Sequence, residues 1–294
     1  MLEKLSKCTI CAHQCGVDRT SEKLGFCKST DKIKIALVSL HKYEEPCISS
    51  GAGSGTIFFS NCNLKCAFCQ NYKISQLSKG YFVSITELAN IFLEQQKNNA
   101  TNINLVTPTI YAPQIIEAIK LAKSNGLNIP IIYNTNGYES IETIKSLNGY
   151  IDVYLPDFKY FFNDLGKKYS GINNYFEIAS QAILEMYYQV GLPQFDTNGN
   201  IKKGLIIRHL VLPNNLDNSK KVLDWIRSNL PKKTYISIMS QYFPTYNANK
   251  FPEISRNLTL DEYNEIKKYF LKLGFENGYF QDACADEEKY VPDF

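Results

Sequence analysis

The chain has 294 residues, 44% of them hydrophobic and 21% charged, a composition that supports a sizeable core and excludes fibrous and disordered classes. Its 32 basic and 29 acidic side chains leave a net charge of +3, too small by itself to mark a nucleic-acid or membrane-surface partner. No apolar run approaches the ~20 residues that cross a bilayer, and the opening MLEKLSKCTICAHQCG sets polar residues and cysteines where a signal peptide needs an apolar stretch, so the expected compartment is the cytoplasm.

Nine cysteines are the strongest compositional signal, because clustered cysteines in a reducing compartment more often bind metal or do catalysis than form disulfides. Eight lie within the first 69 residues and only Cys284 lies beyond, which suggests a Cys-rich subdomain over 1–50 followed by a larger domain over 51–294. The first segment carries Cys8-x2-Cys11-x3-Cys15-x11-Cys27. Four soft ligands are the number a structural zinc site needs, and the same set suits an auxiliary iron-sulfur cluster. His13 lies between them but four thiolates suffice without it, and His41 and His209 read as hydrogen-bonded structural residues.

A β-like run, KIKIALVSL, comes next, and then Glu44-Glu45-Pro46-Cys47. Cys47 reads either as a buried thiol acting as a small hydrophobe or as a group that donates hydrogen or relays an electron near a barrel entrance. Gly51, Gly53 and Gly55 precede a strand instead of joining a strand to a helix, which excludes a phosphate-binding loop.

From Thr56 onward, short β-branched or aromatic runs alternate with segments of helical period. The strands are predicted at 56–60, 103–106, 129–133, 151–155, 205–211 and 235–239, with helices at 84–96, 113–126, 140–147, 175–191, 219–230 and 259–274. Ser84-x-x-Glu87 and Thr259-x-x-Glu262 fit capping boxes, and Gly126, Gly191 and Gly274 stand where helices end. Six such units imply parallel strands with right-handed crossovers. Periodicity leaves open a doubly wound sheet or a partial barrel; in both, chemistry gathers at the carboxyl ends of the strands.

Directly after the first of these strands comes Cys62-x3-Cys66-x2-Cys69. Three thiolates on one tight loop can ligate three irons of a cubane cluster and leave the fourth iron open to a small chelating molecule. The competing structural reading is a zinc knuckle completed by Cys47 or a histidine.

This cysteine loop, with the aromatic Phe68 before its last cysteine, resembles the radical SAM superfamily. Together with C-x2-C-x3-C-G-V-D-R, EEPCIS, GSGTIFFSNCNLKCAFCQNYKIS, YLPDFKY, RHLVLP and MSQY it looks like the PflX-type proteins, relatives of pyruvate formate-lyase activating enzyme, over nearly the whole chain. The resemblance implies an α/β partial (β/α)6 TIM-like barrel behind a small Cys-rich N-terminal metal-binding subdomain. It further implies a [4Fe-4S] cluster on Cys62, Cys66 and Cys69 and an S-adenosylmethionine (SAM) molecule on its fourth iron. Reductive cleavage of SAM then yields a 5′-deoxyadenosyl radical that abstracts hydrogen, with the electron coming from an external donor of the flavodoxin or ferredoxin type. Phe68 is expected beside the adenine.

At the later strand ends the sequence departs from the superfamily at Thr107-Pro108-Thr109, where a GGE-type segment usually holds the SAM amine; the hydroxyls of Thr107 and Thr109 are candidates instead. Asn134-Thr135-Asn136-Gly137 and Asp157-Phe158-Lys159 are similar to the D-T-N-G and D-x-K of glycyl-radical activating enzymes, with Asn134 in place of the acid. Arg208 is a plausible partner for the SAM carboxylate, since a guanidinium forks onto a carboxylate. The Tyr- and Pro-rich stretch 241–255 follows the sixth strand and is a candidate substrate-lining loop. Two substrate readings stand, a glycine converted to a glycyl radical in a protein, or a small molecule or peptide side chain. The rival from another class is a zinc-stapled binding protein, and neither a nucleic acid nor a membrane is expected as partner.

Overall fold

A computed structural model of the chain describes residues 2–281, 292 and 294; Cys284 lies outside them. The elements in order are β1 (Ile33–His41), β2 (Ser54–Phe59), α1 (Tyr72–Ser75), β3 (Tyr81–Val83), α2 (Ile85–Lys97), β4 (Ile103–Val106), α3 (Ala112–Ser124), β5 (Ile131–Thr135) and α4 (Ile141–Ser146). They continue with β6 (Val153–Pro156), α5 (Asn163–Ser170), α6 (Tyr175–Val190), β7 (Gln194–Phe195), β8 (Ile201–Leu210), α7 (Leu216–Asn229), β9 (Tyr235–Met239), α8 (Leu260–Lys272) and β10 (Gly278–Phe280).

The sheet order β10-β9-β8-β6-β5-β4-β2-β1-β3 resolves the architecture that periodicity leaves open. From β2 to β10 the pairs are parallel and follow chain order without reversal, the progression of a (β/α) barrel rather than a doubly wound sheet. Its two ends do not pair with each other among the described residues, so the barrel is partial. β1 adds antiparallel to β2, and β3 to β1.

Strand alternation divides the core in two. Outward residues such as Leu105, Tyr133, Tyr154, Ile207 and Ile238 pack against the helices in the large cluster. Inward Ile132, Val153, Leu155 and Ile206 form a second cluster with Cys47 and Ile48. The EEPC segment therefore fills the barrel interior. Cys47 is a buried thiol in an apolar setting, pushed up to about 11 by burial, and it hydrogen-bonds Tyr279 below the cleft described next.

Both sequence-predicted capping boxes form, Ser84 with Glu87 and Thr259 with Glu262, each with the side chain and backbone bonds reciprocated. Gly126, Gly191 and Gly274 carry φ of +97°, +70° and +71° at the helix ends. Thr259→Ala removes one orphan amide's partner and is expected to cost about 1 kcal/mol. That loss should lower the thermal midpoint by ~2–4 °C in a scan, whereas an unchanged midpoint would show that α8 owes its start to packing alone.

Candidate functional site

The Cys62–Cys69 loop leaves the carboxyl end of β2 through Asn61, whose φ of +68° turns the chain back across the barrel mouth. Neighbouring elements pin it with backbone bonds: Lys65 N to Ser170 O at 3.2 Å, Ala67 N to Tyr169 O at 2.7 Å, and Asn247 N to Ala67 O at 2.8 Å. The Gln70 amide reaches Gln241 O at 2.7 Å, so the Tyr- and Pro-rich loop after β9 is tied to the cysteine loop.

Each thiol in this loop has its own polar partner. Cys62 Sγ accepts from Leu64 N and Asn136 Nδ2, both at 3.3 Å, Cys66 Sγ meets Ser170 Oγ at 3.0 Å, and Cys69 Sγ meets Ser75 Oγ at 3.1 Å. Burial raises all three thiols, Cys69 to about 11, and the neighbouring sulfurs add to the rise at Cys62 and Cys69. A metal centre would take their protons on binding, because the ligand is the thiolate. Among the described residues no three His, Cys, Asp or Glu side chains converge on one point. A zinc knuckle would need a fourth protein ligand beside the three thiols. Cys47 is inside the barrel, and His13, His41 and His209 are engaged elsewhere: His13 Nε2 with Asn63 O at 2.8 Å, His41 edge-on to Tyr43 and Phe58, and His209 with Phe158 O and Ser219 Oγ. Three free thiols, each with its own hydrogen-bond partner, suit a cubane cluster.

These thiols line a cleft of ≈ 920 Å³, counted to its open mouth, which also takes in Phe68, Thr107, Asn134, Thr135, Asn136, Asp157, Lys159 and Arg208. Eight of the residues singled out at strand ends and in the cysteine loop thus meet in one place, along with Cys62, Cys66 and Cys69 themselves, and Thr109 does not. It is fully buried beside the cleft with its hydroxyl on Glu139 Oε1 at 2.6 Å, where the Thr135 hydroxyl also donates. Thr107 stands at φ +60° with its amide on Asn134 O. Phe68 is buried and edge-on to Tyr169 and Tyr242.

Arg208 differs most from expectation. Its Nε donates to Asp157 Oδ1 at 3.1 Å, Nη1 to Glu44 Oε2 at 3.1 Å and Nη2 to Asn134 Oδ1 at 2.6 Å. The fork that a ligand carboxylate would need is filled by protein groups. Lys159 donates to the other Asp157 oxygen at 2.6 Å. Burial alone would raise the Asp157 carboxyl and lower the Lys159 ammonium, but Lys159 and Arg208 hold the carboxyl below its ordinary value, and Asp157, against the push of Arg208, holds the ammonium above its own. Lys159 also pulls Cys66 down against the burial that raises it, so its charge faces the thiol loop.

Sequence reasoning missed the groups that brace this floor. Glu44 clamps Arg208 and Asn104, and the Tyr175 hydroxyl bonds Asn136 O and Asp157 O at 2.8 Å each while accepting from Lys159 N. The one local signal was Gly137, at φ +81°, where a Cβ would meet Asp157 O at 2.4 Å. Only glycine lets the two strand-end segments pass so closely.

The profile of the radical SAM superfamily matches residues 56–258. The uncharacterized protein MJ0674 of Methanocaldococcus jannaschii is 35% identical over 286 residues, covering 92% of this chain and 77% of the relative. Among solved structures, the spore photoproduct lyase C140S mutant superposes with a TM-score of 0.54 at 9% identity over 84% of this chain and 79% of its own. Streptococcus suis SuiB, bound to precursor peptide SuiA, superposes at 0.51 and 12% identity over 76% of this chain. The chain spans about half of SuiB, 47% of its length.

Burial of Glu139 pushes its carboxyl up from 4.5 to about 7. Between those two values the folded state keeps a proton that the unfolded chain releases, so its contribution is complete below pH 4.5 and fades as pH rises through about 7. Glu139→Gln is expected to flatten that decline, a gain of about 1–3 kcal/mol at pH 8 that vanishes near pH 4 in urea titrations. Parallel pH profiles for variant and parent would contradict it.

Proposed function

The chain belongs to the radical SAM superfamily, and from that premise we propose that it is an enzyme that uses a [4Fe-4S] cluster on Cys62, Cys66 and Cys69 to cleave SAM for hydrogen abstraction. The observation that carries this reading is the trio of half-buried, separately hydrogen-bonded thiols at the carboxyl end of the first parallel barrel strand, set around an open cleft. When bound, the cluster and SAM supply a 5′-deoxyadenosyl radical, reduced into being by an external one-electron donor of the flavodoxin or ferredoxin type.

The protein's own part is to hold and to shield. Ser170, Ser75 and Asn136 hydrogen-bond the ligand sulfurs, and such bonds tune the potential of a bound cluster. Phe68 offers an apolar wall for an adenine, and the Thr107, Asn134 and Thr135 segment supplies amide and hydroxyl groups for the amino-acid end of SAM. Because Arg208 is committed to Asp157, Glu44 and Asn134, we assign it to bracing the floor, and Lys159 becomes the cleft-lining cation whose charge acts on Cys66. Its ammonium is the candidate partner for the SAM carboxylate.

We assign the substrate to the protein or peptide class, with conversion of a glycine to a glycyl radical, as in the PflX-type resemblance, its specific form. A partial barrel with an open mouth accommodates an extended segment, and SuiB, whose fold this chain shares, is seen with a precursor peptide. An EPR doublet from a glycyl radical on mixing with a glycyl-radical enzyme and SAM under reduction supports the specific form; its absence with every such enzyme of the source organism argues for another peptide site.

Cys66→Ala deletes one ligand without emptying the core, so the circular dichroism should match the parent while 5′-deoxyadenosine formation from SAM and dithionite falls to background. Undiminished 5′-deoxyadenosine in that variant would overturn the assignment.

A further inference from the structure

Met239 closes β9, and Gln241, two residues on in the MSQY stretch, lines the cleft together with Gln70, which follows the last cysteine of the loop. Tyr242 anchors the turn: it is buried, edge-on to Phe68 with ring centroids 5.8 Å apart, and its hydroxyl donates to Ile254 O. Neither glutamine has a part in the chemistry proposed above.

The Gln241 side chain is held by Gln281, one residue beyond β10 at the end of the sheet. Gln281 Oε1 accepts from the backbone amides of Ser240 and Gln241, both at 3.0 Å, and its Nε2 donates to Gln241 Oε1 at 2.7 Å. Gln281 is fixed in turn by its own backbone, N donating to Ile238 O at 3.2 Å and O accepting from the Tyr263 hydroxyl at 2.8 Å. Gln70 Nε2 donates to the backbone O of Gln241 at 2.7 Å.

These bonds decide which end of each side-chain amide is left over. A carboxamide has donors on nitrogen and an acceptor oxygen, and a backbone N–H only donates, so Gln281 must turn its oxygen toward Ser240 and Gln241. Its nitrogen then meets the Gln241 oxygen, and what remains on Gln241 is Nε2, a donor. A backbone carbonyl only accepts, so the bond from Gln70 leaves that residue with Oε1, an acceptor. Among the described residues neither leftover group has a partner.

We infer that Gln241 and Gln70 form a docking subsite for the backbone of the peptide substrate, a donor beside an acceptor, with Gln281 as the positioning residue that sets their polarity. The assignment rests on the peptide-class reading given above. An extended residue turns its own N–H and C=O to the same edge, which is how paired strands exchange both bonds. Gln241 Nε2 takes that C=O and Gln70 Oε1 that N–H, so the subsite holds a chain without reading its side chains. Neither group is charged, which matches a neutral backbone and not a carboxylate or phosphate. The edge of an adenine offers the same two groups, and the measurement below separates it from a peptide.

Gln281→Glu is the decisive variant. A carboxylate keeps both backbone bonds but cannot donate to Gln241, whose carboxamide then turns its nitrogen inward and presents oxygen, so the donor of the subsite becomes an acceptor. The probe is acetylated pentaglycine amide, titrated without reductant into the anaerobically purified full chain and followed by ligand-observed NMR. Gln281→Glu should weaken the probe roughly 3- to 10-fold, the effect of one hydrogen bond, at an unchanged thermal midpoint. Acetylated pentasarcosine, whose N-methyl groups replace the backbone N–H groups, should bind the parent more weakly than pentaglycine, and Gln70→Ala should abolish that discrimination. Equal pentaglycine affinity in parent and Gln281→Glu, or binding by neither, overturns the inference, as does discrimination that survives in Gln70→Ala. A fall in SAM affinity that matches the fall in peptide affinity would give the pair to the adenine and overturn it as well. Should Gln281→Glu lose its fold, the Gln70→Ala comparison decides alone. Failure to form 5′-deoxyadenosine from SAM and dithionite would sink the proposed function separately, because the peptide titration needs no turnover.

Discussion

Holding three thiols in place on one short loop is the constraint around which the rest of the molecule is arranged. Left alone, the stretch from Cys62 to Cys69 is flexible, and its sulfurs could close a disulfide or gather on a stray ion. Here the turn at Asn61, the backbone bonds from Ser170, Tyr169 and Asn247, and the Gln70 to Gln241 link fix its path. Hydroxyl or amide groups then take each sulfur separately. Those partners come from α1, the β5 strand end, α5 and the loop after β9, so the cysteine loop is rigid only when the barrel is complete.

The barrel in turn depends on what fills it. An open sheet with inward Ile132, Val153, Leu155 and Ile206 would expose an apolar trough, and the Glu44–Ile48 segment closes it from within. That segment brings Glu44 to Arg208, and Arg208 carries the connection to Asp157 and Asn134 on the cleft floor. Removing any one charge would strand the others in a dry interior, which costs far more than the pair itself contributes. An ionic chain thus joins the segment that fills the barrel to the proposed SAM pocket.

Much of this was legible in the chain. Alternating strand and helix periods, two capping boxes and terminal glycines gave the six strand-helix units, because each rests on contacts within a few residues. The cysteine triad was legible for the same reason. Barrel closure was not, since strand order is set by long-range packing and periodicity is silent on it. Nor was the fate of Arg208: a guanidinium at a strand end looks free until Glu44, 164 residues away, is folded against it. Tyr175 and Ser170 escaped notice because a hydroxyl on a helix announces nothing about the loop it will meet. Short elements such as β3 and α5 carry too few residues for a period to show.

Everything in the proposed chemistry follows from one iron having no protein ligand. Mössbauer spectroscopy of protein reconstituted with 57Fe, recorded before and after adding SAM, reads that property directly. One iron site of the Cys62, Cys66 and Cys69 cluster should change its isomer shift and quadrupole splitting when SAM binds, while its three companions stay as they were. Four sites indifferent to SAM would mean that every corner of the cluster is already held by the protein, and the proposed reaction would have nowhere to occur.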